Sequence, residues 1–340
     1  MKPQTIRAAN PNPAPLPIEQ PVWCEDLISI ADLGPSGVRT VLDLTLLLKA
    51  RPADFRGALA GKQIALFFEK PSLRTRMTFE AGIDALGGTS FFYDQRDARL
   101  GAREKLSDIA HNLERWIDGV VLRTFAHATI TEMAANAKIP VINALSELEH
   151  PCQALADYCT LQEKFSDLKT VKLAYVGDGN NVAHSLLLAA ACTGGKISVA
   201  TPAGYEPLPS VVDAARAIAS ETGAVLKTMT DPEAAVEGAD AIYTDVWASM
   251  GQEAESEQRK RIFEPYRVDK RLMAGAAKHA VFMHCLPAHR GDEVTDAVID
   301  SSRSVVFDQA ENRLHAQKAV MLILLGGGVT RFSPRRNGHA

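Results

Sequence analysis

The sequence predicts an α/β protein made of two doubly wound parallel-sheet domains with an active-site cleft between them. From about residue 61 onward, short β-rich runs alternate with longer stretches of helical periodicity, the pattern of successive βα units. The pattern pauses at a polar segment, "FSDLKT" (165–170), and then starts again. At 340 residues the chain also exceeds what a single core of ordinary size organises.

Taken in order, residues 1–22 carry prolines throughout and no apolar run, so they are expected to form a flexible arm rather than a secretory signal or transit helix. Strands are expected at 64–69, 89–94, 119–124 and 140–145 in the first half. Phe79, Ile83 and Leu86 fall at helical spacing before the Gly87-Gly88 stop, and Leu106, Ile109 and Leu113 repeat that logic. A helix over 151–165 leads to the seam. The second half reads as strands at 172–177, 196–201, 225–229, 241–246, 280–285 and 304–308, with helices at 181–193, 208–222 and 232–238 and a closing helix over about 311–326. The basic tail, 328–340, is expected to be flexible. Ligands in such sheets gather at the carboxyl ends of the strands.

Composition narrows the function. A net charge of -4 and a pI near 6.2 argue against a nucleic acid or an anionic membrane as the main partner. Five cysteines without a CxxC pair, an odd number, fit a reducing cytoplasm. No apolar run reaches the roughly 18–20 residues needed to span a bilayer.

The expected chemistry lies in the turns at strand ends. "KPSLRTR" (70–76) places Lys70, Arg74 and Arg76 among Ser72 and Thr75 at a strand-to-helix turn, where free N–H groups and the helix dipole favour an anion; Arg74 suits a phosphate. Arg123 ends another strand. His150 and Gln153 share one face of a helix start and offer donors for a carbonyl oxygen. In "GDGNN" (177–181) the glycines invite a dinucleotide, but Val182 occupies the third glycine position and no acidic residue ends the next strand, so a nicotinamide cofactor is poorly supported. Asn180 and Asn181 suit a small molecule bearing a carboxylate or an ammonium. Asp245 and Cys285 close two strands and can converge in one crevice. His284, Cys285 and His289, from one short loop with no distant partner, make an unconvincing zinc set, so no metal is expected.

"SLRT" (72–75), "HPCQ" (150–153), "DVWASMG" (245–251) and "HCLP" (284–287), in this order, resemble the motifs of the aspartate/ornithine carbamoyltransferase family over about residues 22–327, with the "SMG" loop similar to its ornithine-specific branch. The resemblance implies transfer of the carbamoyl group of carbamoyl phosphate to the δ-amine of L-ornithine, without a cofactor. It implies that Ser72, Leu73 through its backbone, Arg74, Thr75, Arg123, His150, Gln153, Cys285, Leu286 and Arg313 hold carbamoyl phosphate. Asn181, Asp245, Ser249 and Met250 match the ornithine positions. Arg123, His150, Asp245 and Cys285 are the expected catalytic groups.

Two departures stand out: Leu73 replaces the usual Thr, and Arg99 replaces a Gln on a loop that in relatives reaches the neighbouring subunit's site. Arg99 is therefore a candidate phosphate contact across an interface. The resemblance further implies a homotrimer with shared sites, or stacked trimers, in arginine metabolism. The implied division is a carbamoyl-phosphate domain at 23–155, an ornithine domain at 156–312 and a helix at 313–327 returning to the first domain. Closure on the amine would use the charged stretch 245–265. The rival readings are a sibling carbamoyltransferase acting on N-acetylornithine, putrescine or aspartate, and an NAD-dependent oxidoreductase.

Overall fold

The computed structural model describes residues 24–95, 99–248 and 255–326. Helix α1 (Ile30–Ala50) precedes the first sheet. Ser29 accepts the Ala31 N–H while Asp32 reaches back to the Ser29 N–H, a reciprocal cap that sets where α1 starts. The βα pattern read from residue 61 onward does not include this helix, although Val38, Val41, Leu42, Thr45 and Leu48 line its buried face.

The first sheet has four parallel strands, β1 (Gln63–Phe68), β2 (Thr89–Asp94), β3 (Gly119–Arg123) and β4 (Val141–Leu145), in the order β2-β1-β3-β4. Helices α2 (Leu73–Ala85), α3 (Leu106–Leu113) and α4 (His127–Asn136) connect them. Helix α5 (Pro151–Phe165) runs to the seam.

The second sheet has five parallel strands, β5 (Lys172–Val176), β6 (Lys196–Ala200), β7 (Val225–Met229), β8 (Ala241–Thr244) and β9 (Val281–His284), ordered β7-β6-β5-β8-β9. Its helices are α6 (Asn181–Thr193), α7 (Pro209–Thr222), α8 (Pro232–Val236), α9 (Ser256–Phe263), α10 (Lys270–Gly275) and α11 (Asp296–Ile299). Helix α12 (Val306–Leu325) closes the chain.

Strand order reverses between β1 and β3 in one sheet and between β5 and β8 in the other. Neighbouring connections there leave in opposite directions, which opens a crevice beyond the strand ends. The flanks of these two crevices are the 69–75 turn and Arg123 on one side, and the 177–181 turn and Asp245 on the other.

Alternation along the buried strands sorts side chains into two layers per sheet. Ile64, Leu66 and Phe68 face the main core, whereas Ala65 and Phe67 face a separate cluster with Leu106, Ala110 and Ile130. The main core does not stop at the seam. It joins β1 and α1 to β5, β6 and α6 through α5 and α12, so both sheets brace the same helices.

The structure overturns one strand. Residues 304–308, a β-branched run, make only an isolated bridge, with Phe282 N–H donating to Arg303 O and Val305 N–H to Phe282 O. The chain then enters α12 at Val306, five residues before the expected start. Val305, Val306, Gln309, Asn312, Arg313 and Ala316 are buried at helical spacing while Phe307 is exposed, so periodicity over the longer stretch overrides local β propensity. The charged stretch 245–265 contains α9, whose Arg259 is buried.

The second glycine of "GDG" has a packing reason. A Cβ on Gly179 would stand 2.3 Å from Pro207 N and 2.5 Å from Tyr205 O, and the Gly179 N–H donates to that same carbonyl at 2.9 Å. Backbone rather than a yielding side chain fills the space. Gly179→Ala is therefore expected to lower stability by about 3 kcal/mol, measured by urea denaturation, the upper end of ordinary overpacking costs.

Candidate active site

The turn after β1 builds an anion corner from local rules. Ser72 caps α2 by accepting the Thr75 N–H at 3.3 Å, and its hydroxyl lies 3.0 Å from Thr75 Oγ1. Arg313, from α12, donates Nη2 to Thr75 Oγ1 at 3.1 Å and Nη1 to Gln153 Oε1 at 2.5 Å. With both lone pairs of Thr75 Oγ1 engaged, its own hydrogen is left for a ligand.

Arg123 enters the same space from the end of β3 and is buried. Among the described residues no carboxylate pairs with it, and its Nε has no partner. Burial, then Arg313 and Arg74, push its pKa down to about 9. Buried guanidinium groups without a counter-ion are costly unless something negative arrives.

His150 is the N-cap residue of α5, with its backbone N–H on Ser185 Oγ at 2.9 Å. Burial, followed by the charges of Arg313 and Arg123, holds the imidazole well below its ordinary pKa, so it is neutral near pH 7. Its Nδ1 has no protein partner. Gln153 is oriented from both sides: Nε2 donates to Asp157 Oδ1 at 2.7 Å while Oε1 receives Arg313.

Across the cleft, Asp245 follows β8 and Cys285 follows β9. Cys285 Sγ donates to Asp245 Oδ1 at 3.0 Å, and Asn180 Nδ2 donates to Oδ2 at 2.9 Å. Burial first, and then Asp245, raise the Cys285 thiol well above its usual pKa, so it is a protonated donor rather than a thiolate. Leu286 takes φ +57°, and its carbonyl accepts Arg74 Nε at 3.3 Å, a direct bond between the two domains. A non-glycine residue in left-handed backbone is held there by its surroundings.

His284 supplies part of that hold. Its Nδ1 accepts the Leu286 N–H at 2.8 Å, which leaves Nε2 to donate to Glu293 at 3.2 Å. Although Asp245, His284 and Cys285 lie close together, both ring nitrogens of His284 are thereby committed. His284 organises the turn.

One cavity of about 400 Å³ collects these groups. Ser72, Leu73, Arg74, Thr75, Arg123, His150, Gln153, Asn181, Asp245, Cys285, Leu286 and Arg313 all line it. Lys70, Pro71 and His289 line it as well. Lys70, with Nζ 4.5 Å from the Phe125 ring centre, was legible as a third cation in the 70–76 cluster.

Asn181 lines the cavity but donates Nδ2 to Ser146 O at 2.6 Å. Arg99 is not brought to this cavity. It stacks on Phe125, 4.5 Å from the ring centre, and borders a separate groove beside β2. Ser249 and Met250 lie outside the described residues. Sequence reasoning missed Asp157 and the particular bond of Asn180 to Asp245; the i, i+4 spacing of Gln153 and Asp157 was the available signal for the first.

Comparison with known proteins agrees with this geometry. Residues 25–163 match the family model for the carbamoyl-P binding domain of aspartate/ornithine carbamoyltransferase, and residues 169–324 match its Asp/Orn binding domain. The ornithine carbamoyltransferase of Thermococcus kodakarensis is 50% identical over 304 residues, covering 89% of this chain and 96% of the relative. That of Pyrococcus abyssi is 49% identical over 309 residues, 90% and 98% of the two chains. The solved ornithine carbamoyltransferase of Pyrococcus furiosus superposes with a TM-score of 0.86 at 48% identity, covering 89% of this chain and 97% of that one. A cavity walled by guanidinium groups on one sheet and by a carboxylate and thiol on the other, in a chain matched along both domains, means that this protein belongs to the aspartate/ornithine carbamoyltransferase family.

Proposed function

We infer that the chain transfers the carbamoyl group of carbamoyl phosphate to the δ-amine of L-ornithine, releasing citrulline and phosphate. The observation that carries this is the pairing of an uncompensated cationic corner with a carboxylate wall in a single cavity. The curated relatives named above act on ornithine, and the family models bear the donor's and acceptor's names.

Residues 23–155 with the returning helix 313–327 would serve the donor, and 156–312 the acceptor. The phosphate would sit on the Ser72–Thr75 turn against Arg74, Arg123 and Arg313. His150, neutral, would donate to the carbamoyl oxygen, with Thr75 and Arg123 completing the set of donors for the oxyanion that forms on attack. Gln153 Oε1 and the backbone carbonyls of Cys285 and Leu286 are the acceptors at hand for the carbamoyl amide.

The amine attacks only when unprotonated, and a free alkyl ammonium has a pKa of roughly 10. Arg123, Arg74 and Arg313 across the cleft disfavour a second positive charge, whereas Asp245 and the Cys285 thiol orient the nitrogen. A new C–N bond forms, the bond from carbon to the phosphate oxygen breaks, and the amine's surplus proton passes to the departing phosphate. The donor is already activated, so the steps balance without a redox partner.

We further propose a homotrimer with shared sites. Phe91, Tyr93 and Trp116 are exposed around the groove that Arg99 borders, which supports a partner surface there. Five free thiols support a reducing cytoplasm, and a role in arginine metabolism follows from the substrates. No helix of the described residues is long and apolar enough to cross a membrane.

An acceptor screen with carbamoyl phosphate tests the activity: carbamoylation of L-ornithine well above N-acetylornithine, putrescine and aspartate is expected, and preference for any of those three overturns the assignment. Arg123→Met should raise the melting temperature without ligand, because it removes an unpaired buried charge, while abolishing the stabilisation that inorganic phosphate gives the parent chain. His150→Gln should lower kcat about 10²–10³-fold. Since the imidazole is already neutral, the shape of the pH–rate profile between about pH 6 and 8 should not move.

A further inference from the structure

Asn180 lies between β5 and α6 and is not among the residues lining the cavity. Its Oδ1 caps α6, accepting the N–H groups of Val182 at 2.9 Å and Ala183 at 3.3 Å, and the Tyr175 hydroxyl stands 3.3 Å away on the same side. These donors fix which end of the amide is oxygen. The Nδ2 end can then point only the other way, and there it meets Asp245 Oδ2 at 2.9 Å. The helix cap therefore determines the polarity of a bond inside the active site.

Asp245 is held by one donor on each oxygen, Asn180 from the β5 flank of the switch point and Cys285 from β9. Among the described residues the other titratable groups that face it are Asp178 and Tyr175 on the β5 side, Tyr243 on its own strand and His284 at the end of β9; Asp178 is paired with Arg259 from α9, and the two ring nitrogens of His284 are taken by the Leu286 N–H and Glu293. None of these directs a cation at Asp245, so among the described residues two neutral donors, Asn180 and Cys285, fix its orientation.

We propose that Asn180 is a positioning residue for the acceptor amine: its amide, polarised by the cap it makes, locks the Asp245 carboxylate in the rotamer that faces the cavity. This rests on the assignment of an amine acceptor at Asp245. Asn180 touches no substrate, and its effect passes through Asp245.

Two substitutions separate this role from capping. Asn180→Ser keeps a good N-cap oxygen and removes the donor; Asn180→Asp keeps the cap and sets a carboxylate against Asp245. For the parent and both variants, the measurements are thermal melting, the KM of each substrate by citrulline formation, and kcat/KM for L-ornithine against pH. Asn180→Ser is expected to melt like the parent, to raise the KM for L-ornithine about tenfold and to leave that for carbamoyl phosphate within about twofold. Asn180→Asp is expected to move the acid limb of kcat/KM for L-ornithine up by about one pH unit, because a second carboxylate raises the pKa of the pair and of a bound ammonium alike.

An unchanged KM for L-ornithine in Asn180→Ser overturns the proposal, as does an unmoved acid limb in Asn180→Asp. A parallel loss in both substrates' constants together with a lowered melting temperature would show a cap and nothing more. A parent chain that makes no citrulline sinks the functional assignment and this proposal with it, a failure visible before any variant is compared.

Discussion

The structure is organised around positive charge that the fold does not neutralise. Arg123 is buried at a strand end without a counter-ion among the described residues, Arg313 reaches the same space from α12, and Arg74 crosses from the first domain to a carbonyl of the second. Removing guanidinium groups from water costs several kcal/mol each unless a partner compensates. The rest of the molecule can hold them there because its core runs continuously through α1, α5, α6 and α12 and braces both sheets. A dianion in the cleft would offset that cost.

The buried polar groups behind the cavity follow from that constraint. Asp157 has no exposure and accepts from both Gln153 and Gln309; burial pushes its pKa up to about 6 while those donors and Arg313 hold it down. Gln309 passes its own oxygen to the His284 N–H at 2.9 Å. A single carboxylate thus joins the Arg313 side of the site to the turn that carries Cys285. The second buried pair, Arg259 with Asp178, ties α9 to the 177–181 turn and to the Trp247 carbonyl. Gln153 and Asp245, which line the cavity, are thus each held by a neighbouring side chain that fixes their orientation.

The 146–150 segment that leads into α5 is held by α6. Asn181 donates to Ser146 O, His184 to Leu148 O at 2.8 Å, and Ser185 accepts the His150 N–H, so one turn of α6 grips residues 146–150. His184 can donate there and accept the Leu208 N–H only as a neutral ring, and burial lowers its pKa accordingly.

Much of this was written in local pattern. Strand runs, helix caps and the "SLRT", "HPCQ" and "HCLP" turns depend on residues adjacent in the chain, and propensity, capping and spacing act at that range, so the parallel sheets and most of the cavity's lining could be read directly. Where the sequence misled, longer-range packing decided: 304–308 had β-branched residues but went into α12 because its buried positions continue at helical spacing for another three turns. Arg99, expected to act across a subunit interface, stacks on Phe125 and borders the groove beside β2 in its own chain. The polarity of Gln153, the orphaned charge of Arg123 and the grip of Asn180 on Asp245 were not legible, because each depends on a partner far along the chain, Arg313 for Gln153 and Arg123 and Asp245 for Asn180, that only the folded chain brings within hydrogen-bonding or Coulomb range.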